Sequence, residues 1–215
     1  KSEADVLITI DEVYQAIERE VVVNPQFEKK IGVDIARYGN DRSVIVVRQM
    51  EKVLRKEVIT GQDLMSLAGQ IIKIAKEEFV RSENINLDII GMGAGVVDRL
   101  HEQGWRVNGI NVALPANDPE HYANIRAEIY VAIKDWISSA QLTKDDDWYE
   151  LTNIKYKFTS KGQMIMESKE DMKKRGLDSP DVADALALTF ADTKKVFIMP
   201  PASEIIKPYY PDIGF

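Results

Sequence analysis

Four consecutive β-branched residues, Val44-Ile45-Val46-Val47, lie within the segment Ser43–Gln49 and read as a buried strand. Its neighbours extend the constraint. Lys30–Tyr38 has strand character and ends in a turn at Gly39-Asn40-Asp41, and the alternating segment Val53–Thr60 predicts a third strand. Three strands joined by short turns form an antiparallel meander. From Asp63 the period changes. Leu64, Leu67, Ala68, Ile71, Ile72, Ala75 and Phe79 recur at helical spacing and predict a helix over Asp63–Val80. A short strand over Leu87–Ile90, a glycine-rich turn, a helix over Val96–Gln103 and a strand over Trp105–Ala113 follow. A long helix is expected over His121–Gln141, with Ile125, Ile129, Ile133 and Trp136 on one face. Next come a hairpin, Lys155–Thr159 and Gln163–Ser168, and a final helix opened by Ser179-Pro180-Asp181. With 215 residues, 45% of them hydrophobic, this order suits one α/β domain with a sizeable core.

Two strand segments carry a carboxylate where an apolar residue belongs. Asp34 sits in Ile31-Gly32-Val33-Asp34-Ile35-Ala36, and Asp88 in Leu87-Asp88-Ile89-Ile90. Burial of a carboxylate is costly and raises its pKa, and a second carboxylate nearby raises it further. A divalent cation reverses both penalties. Asp181 and Asp184, three residues apart, share a face of the final helix, and Asp184 is flanked by Val182, Ala183, Ala185 and Leu186. Acids supplied by several rigid elements suit a pair of metal ions about 4 Å apart, which would clamp the attacking water and the leaving oxygen of a phosphodiester. The chain has no cysteine, and His101 and His121 form no zinc motif, so a metal must rest chiefly on oxygen, as Mg²⁺ prefers. Each acid also has a plainer account. Arg37 or Arg42 can pair with a strand aspartate, and Asp181 suits the dipole of a helix N-terminus.

Gly91-x-Gly93-x-Gly95 follows a strand and precedes a helix, as in a dinucleotide-binding turn, but Val96 stands where the fingerprint needs glycine or alanine. No acid closes the next strand, where Ile110-Asn111-Val112 stands. The glycines are read as permitting close backbone approach beside the acids.

The net charge is −7, unfavourable for a polyanion partner. The basic residues are nevertheless concentrated in one place. Lys155, Lys157, Lys161, Lys169, Lys173, Lys174 and Arg175 fall within 21 residues that hold only Glu167, Glu170 and Asp171 as acids. This segment is either a solvated face or a surface for phosphates. No apolar run is long enough to cross a bilayer and no signal peptide opens the sequence, so a cytoplasmic location is expected.

Three motifs together resemble the C-terminal nuclease domain of the large terminase subunit of tailed bacteriophages, the DNA-packaging motor. They are Gly32-Val33-Asp34-Ile35-Ala36 with Gly39, Asp41 and Ser43; Asp88 through Leu100; and Glu167 through Gly176 followed by Ser179 through Leu186. The resemblance spans roughly Lys30 to Asp192. It implies a ribonuclease H-like fold, a mixed five-stranded central sheet flanked by helices with an extra β-hairpin. It also implies endonuclease cleavage of double-stranded concatemeric viral DNA with little sequence preference. The work would need two Mg²⁺ or Mn²⁺ ions on Asp34, Asp88 and Asp184, with Asp181 as a further ligand or orienting group. The hairpin and Lys169–Arg175 would contact DNA phosphates. Implied partners are the portal protein, the small terminase subunit and an ATPase domain, all in the host cytoplasm. No Walker A pattern is present, so an excised domain is expected. Residues 1–28 would be linker and lead-in helix, 29–195 the nuclease domain and 196–215 an extended tail. The rival readings are an ATP-binding module of the same fold, of the actin or sugar-kinase type, and a portal-docking module without nuclease activity.

Overall fold

The computed structural model describes residues 6–36 and 42–191. The expected turn at Gly39-Asn40-Asp41, the possible Arg37 pairing and the C-terminal tail lie outside these residues. The first helix among the described residues is α1 (Ile10–Glu18), capped by Thr9, whose hydroxyl accepts from Glu12 N while the Glu12 carboxylate accepts from Thr9 N. Val13, Ala16 and Ile17 of α1 are buried in the core cluster that also holds Val44 and Val46.

The five-stranded sheet has the order β3-β2-β1-β4-β5. Its strands are β1 (Lys29–Asp34), β2 (Arg42–Gln49), β3 (Lys52–Thr60), β4 (Ile85–Asp88) and β5 (Asn108–Ile110). The first three form the antiparallel meander expected from the sequence, while β1–β4 and β4–β5 are parallel, so the sheet is mixed. Both faces are covered, which explains the unbroken apolar run of β2. Ile45 and Val47 pack with Ile31, Val33 and Leu87 against helices α2 (Leu64–Glu77) and α3 (Gly93–Glu102). Val44 and Val46 face the opposite layer, made of α1, α4 (Ile125–Ile137) and α6 (Asp181–Leu188). A separate hairpin pairs β6 (Tyr156–Phe158) with β7 (Met164–Met166), and a short helix, α5 (Lys169–Lys174), follows it.

Several boundaries differ from the sequence reading, each for a local reason. β1 ends at Asp34, because the Ala36 amide is taken by Ser43 Oγ rather than by the ladder. β5 is short because Asn111 turns the chain, its side chain accepting from Ala113 N and its carbonyl from Leu114 N. α4 starts only at Ile125, capped by Asn124, while His121 and Ala123 bond the backbone of Met164 and brace the hairpin. α3 begins at Gly93 rather than Val96. α5, capped by Ser168, and a 3-10 segment over Asp146–Asn153 have no counterpart in the sequence reading. Both are short, and a segment of two turns or so carries little periodicity.

Candidate metal centre

The strand alternation builds the site. In β1, Ile31 and Val33 face α2 and α3, so Gly32 and Asp34 face α6. In β4, Leu87 faces α2 and α3, so Asn86 and Asp88 face α6, and Asn86 Nδ2 donates to Leu188 O of that helix at 2.8 Å. The parallel register pairs Val33 with Leu87, which sets Asp34 and Asp88 side by side at the C-terminal ends of adjacent strands. In an open sheet this is where a ligand crevice forms. Close packing of α6 depends on Gly32. A Cβ there would lie 2.0 Å from Ala185 O. Gly93 plays a similar part behind Asp88, where a Cβ would lie 1.7 Å from Asp88 O, in keeping with the reading of the glycine run as a device for close approach.

α6 is held at its N-terminus from outside the helix. The sequence points to Ser179 as its cap, but the Glu150 carboxylate of the 3-10 segment accepts from Val182 N at 2.8 Å and from Ala183 N at 3.4 Å. Ser179 instead hydrogen-bonds Asp181. Arg42, at the start of β2, joins Glu150 and Asp181, with its Nε 3.3 Å from Asp181 Oδ2. Glu150 has no recognisable signal in the sequence, since its targets lie over 30 residues away.

Asp34, Asp88, Asp181 and Asp184 thus line one cleft of about 800 Å³, together with Arg42, Lys169 and Arg126. Asp34 and Asp184 are buried, whereas Asp88 is half-buried and accepts from Ile90 N at 2.9 Å. Burial pushes the Asp34 carboxyl well above the usual carboxylate range. The charges of Asp184, Asp181 and Asp88 push it the same way, and the Lys169 ammonium opposes them. Burial also acts against the Asp184 charge, but Lys169 and then Arg126 outweigh it and hold Asp184 below the usual range. Burial is the main cause of the rise at Asp181.

Lys169, at the start of α5, is therefore part of the acidic site. Its Nζ lies 2.7 Å from Asp184 Oδ2, and its own pKa is raised by Asp184 and Asp34 against the effect of burial. Among the described residues, no three acid or histidine side chains converge at the spacing of a metal-ligand set. Lys169 and Arg126 stand against Asp184 instead, and Arg42 against Asp181. The residues still suit a divalent cation in two respects. The donors are all hard oxygens, and Asp184 Oδ2 is buried without a hydrogen bond of proper angle, even from Lys169. If Lys169 competes with a cation for Oδ2, Lys169→Met is expected to tighten Mn²⁺ binding about tenfold in the absence of DNA, a difference of about 1.4 kcal/mol. Calorimetry checks this, and equal or weaker binding would show that the lysine does not compete.

The other basic residues divide. Arg175 is turned inward, with Nη2 2.5 Å from Glu167 Oε2 and 2.8 Å from Asn153 O. Lys174 pairs with Asp171 at 2.6 Å on the surface. Lys173 is exposed and lines the cleft, and Lys157 and Lys161 are exposed on the hairpin. Lys155 is half-buried beside them.

A mixed sheet in the order β3-β2-β1-β4-β5, with acids at the ends of β1 and β4 and on the helix that crosses them, defines a ribonuclease H-like domain. The particular likenesses are to phage large terminases. The nuclease domain of the large terminase subunit gp2 of bacterial virus Sf6 superposes with a TM-score of 0.69 at 19% identity, over 87% of this chain and 99% of that one. The large terminase nuclease from thermophilic phage G20c gives 0.64 at 15% identity, over 86% and 97%. The large terminase nuclease domain of Thermus phage P74-26 gives 0.58 at 15% identity, over 83% and 92%. No family profile and no curated relative matches the sequence.

Proposed function

We propose that this chain is a divalent-metal-dependent endonuclease. It would cleave double-stranded concatemeric viral DNA during genome packaging, by two-metal phosphodiester hydrolysis with little sequence preference. The observation that carries this reading is that Asp34, Asp88, Asp181 and Asp184, from two strands and a helix, all line a single cleft. A mutant form of the Sf6 domain with manganese and forms of the G20c domain with magnesium or cobalt support the same ion class here. When bound, such ions lower the pKa of a coordinated water and polarise the scissile phosphate.

The chain's own residues have separable roles. Asp34 and Asp88 supply oxygens from the rigid strand ends, and Asp184 supplies Oδ2 from α6. Asp181, tied to Arg42 and Ser179, serves as a further ligand or orients a metal-bound water. Lys169 would cede Oδ2 to a bound cation and, lining the cleft, would meet a phosphate oxygen there. Lys157 and Lys161 contact phosphates outside the cleft and Lys173 at its wall, with Lys155 and Lys174 nearby, while Lys169 and Arg175 act from inside the fold. Hydrolysis adds the oxygen of one water to phosphorus and breaks one bridging P–O bond. In the intact motor the partners would be an ATPase domain, the portal protein and the small terminase subunit, in the host cytoplasm.

The test is cleavage of supercoiled plasmid. Nicking and linearisation with Mn²⁺ or Mg²⁺, abolished by EDTA, is the expected result, and no metal-supported cleavage at any concentration would overturn the reading. A second measurement addresses the lysines. Replacing Lys157 and Lys161 by alanine is expected to flatten the salt dependence of DNA affinity, by about 0.9 in log–log slope for each phosphate that is no longer neutralised. An unchanged slope would place the DNA elsewhere.

A further inference from the structure

Helix α4 presents two residues, Arg126 and Tyr130, to the buried side of Asp184. They are four apart and so share a face of the helix. The Tyr130 hydroxyl donates to Asp184 Oδ1 at 2.5 Å, and Tyr130 is fully buried. Arg126 Nη2 lies 3.5 Å from the same oxygen and, itself buried, has no hydrogen-bond partner. The guanidinium is held from its other side, where Nη1 donates to Glu167 O at 2.6 Å, and its carbon stands 5.2 Å from the centre of the Tyr130 ring. Both groups act on Oδ1, while Lys169 stands at Oδ2. The two oxygens of Asp184 are therefore not equivalent.

We propose that Arg126 and Tyr130 are positioning residues that clamp Asp184 Oδ1, so that the aspartate offers Oδ2 alone, at a fixed place, to a divalent cation. This rests on the metal-dependent reading above. A carboxylate on a helix can rotate about its side-chain torsions and chelate through both oxygens. With one oxygen engaged by a rigid phenol and an anchored guanidinium, that freedom is lost before any cation arrives. Both residues line the cleft, but the Tyr130 hydroxyl is engaged by Asp184 Oδ1 and the Arg126 guanidinium lies between that oxygen and Glu167 O. They act through Asp184, in the way that outer hydrogen-bond partners orient the ligands of metal sites.

Tyr130→Phe tests this with little change of shape, because the ring is kept and only the hydroxyl is lost. The reporter is the electron paramagnetic resonance of Mn²⁺ bound to the full chain, with melting temperature in EDTA as the control for folding. The clamp predicts Mn²⁺ binding about tenfold weaker and a kcat for DNA cleavage about 10–100-fold lower, with DNA affinity in EDTA unchanged. If the parent binds Mn²⁺ and Tyr130→Phe binds it equally, the clamp is overturned while the nuclease reading stands. If the parent binds no Mn²⁺ with or without a DNA oligonucleotide, the metal-dependent reading falls and the clamp falls with it. Arg126→Lys and Arg126→Gln give an independent pair should Tyr130→Phe fail to fold. The lysine is expected to keep more Mn²⁺ affinity than the glutamine, and equal, parent-like affinity in both would overturn the clamp.

Discussion

Asp34→Asn is expected to abolish cleavage while making the metal-free protein more stable. The two effects share one cause. Asp34 is buried at the end of β1 among three other acids, and its pKa is well above the ordinary carboxylate value. A carboxyl whose folded-state pKa is raised lowers stability once pH exceeds its unfolded value, about 3.9, and the penalty grows until the folded-state pKa is passed. Asparagine does not ionise. Melting in EDTA should therefore show the variant above the parent at neutral pH, with the difference closing as pH falls to about 4. On the proposed metal-dependent reading, saturating Mn²⁺ should reverse the order, because only the parent would keep all the proposed ligands. In activity, loss of about 4 kcal/mol of charge stabilisation at the reacting phosphate corresponds to about a thousandfold in rate. A variant that cuts plasmid as fast as the parent would remove Asp34 from the mechanism. Identical melting curves at both pH values would mean that its burial is compensated.

Gly32→Ala is expected to be the most damaging change outside the acids. The added Cβ would lie 2.0 Å from Ala185 O, and side-chain contacts need at least 3.0 Å, so α6 must retreat from β1 by about 1 Å or more. The obstacle is backbone, not the end of a flexible side chain. Overpacking of this kind costs about 3 kcal/mol or more, roughly 10 °C in melting temperature for a chain of this size. The same displacement moves Asp184 relative to Asp34 and Asp88, and an error of about 1 Å in a catalytic constellation costs about a hundredfold in rate. Alanine at the exposed Gly69, where an added Cβ meets nothing within 4 Å, serves as the control. A Gly32→Ala protein with parental melting temperature and rate would show that α6 does not need the close approach.

Much of this is legible before folding. The β-branched run of β2, the helical period of α2 and the turn around Gly162 depend on contacts a few residues apart, and the elements form where the period places them. Asp34 and Asp88 stand out because a carboxylate interrupts an apolar strand. The ends of elements are less legible. They are decided by single hydrogen bonds, such as Ala36 N to Ser43 Oγ at the end of β1, which leave no periodic trace. Partners are least legible. Lys169 and Arg175 belong to one basic cluster in the sequence, yet one neutralises Asp184 and the other Glu167. A buried charge requires a counter-charge, and which residue supplies it depends on where the chain folds back.

The sequence by itself determined the mixed strand and helix order, the four acids and the glycines that make room for them, because these follow from side-chain alternation and steric size along the chain. Only the tertiary structure decided how the acids are held. Glu150 caps α6 from another segment, Arg42 ties Asp181, Lys169 stands at one oxygen of Asp184, and Arg126 and Tyr130 stand at the other. Tyr130 and Asp184 are 54 residues apart. Bringing them within 2.5 Å is a consequence of packing α4 against α6 over the sheet, an energy that no local stretch of the chain contains.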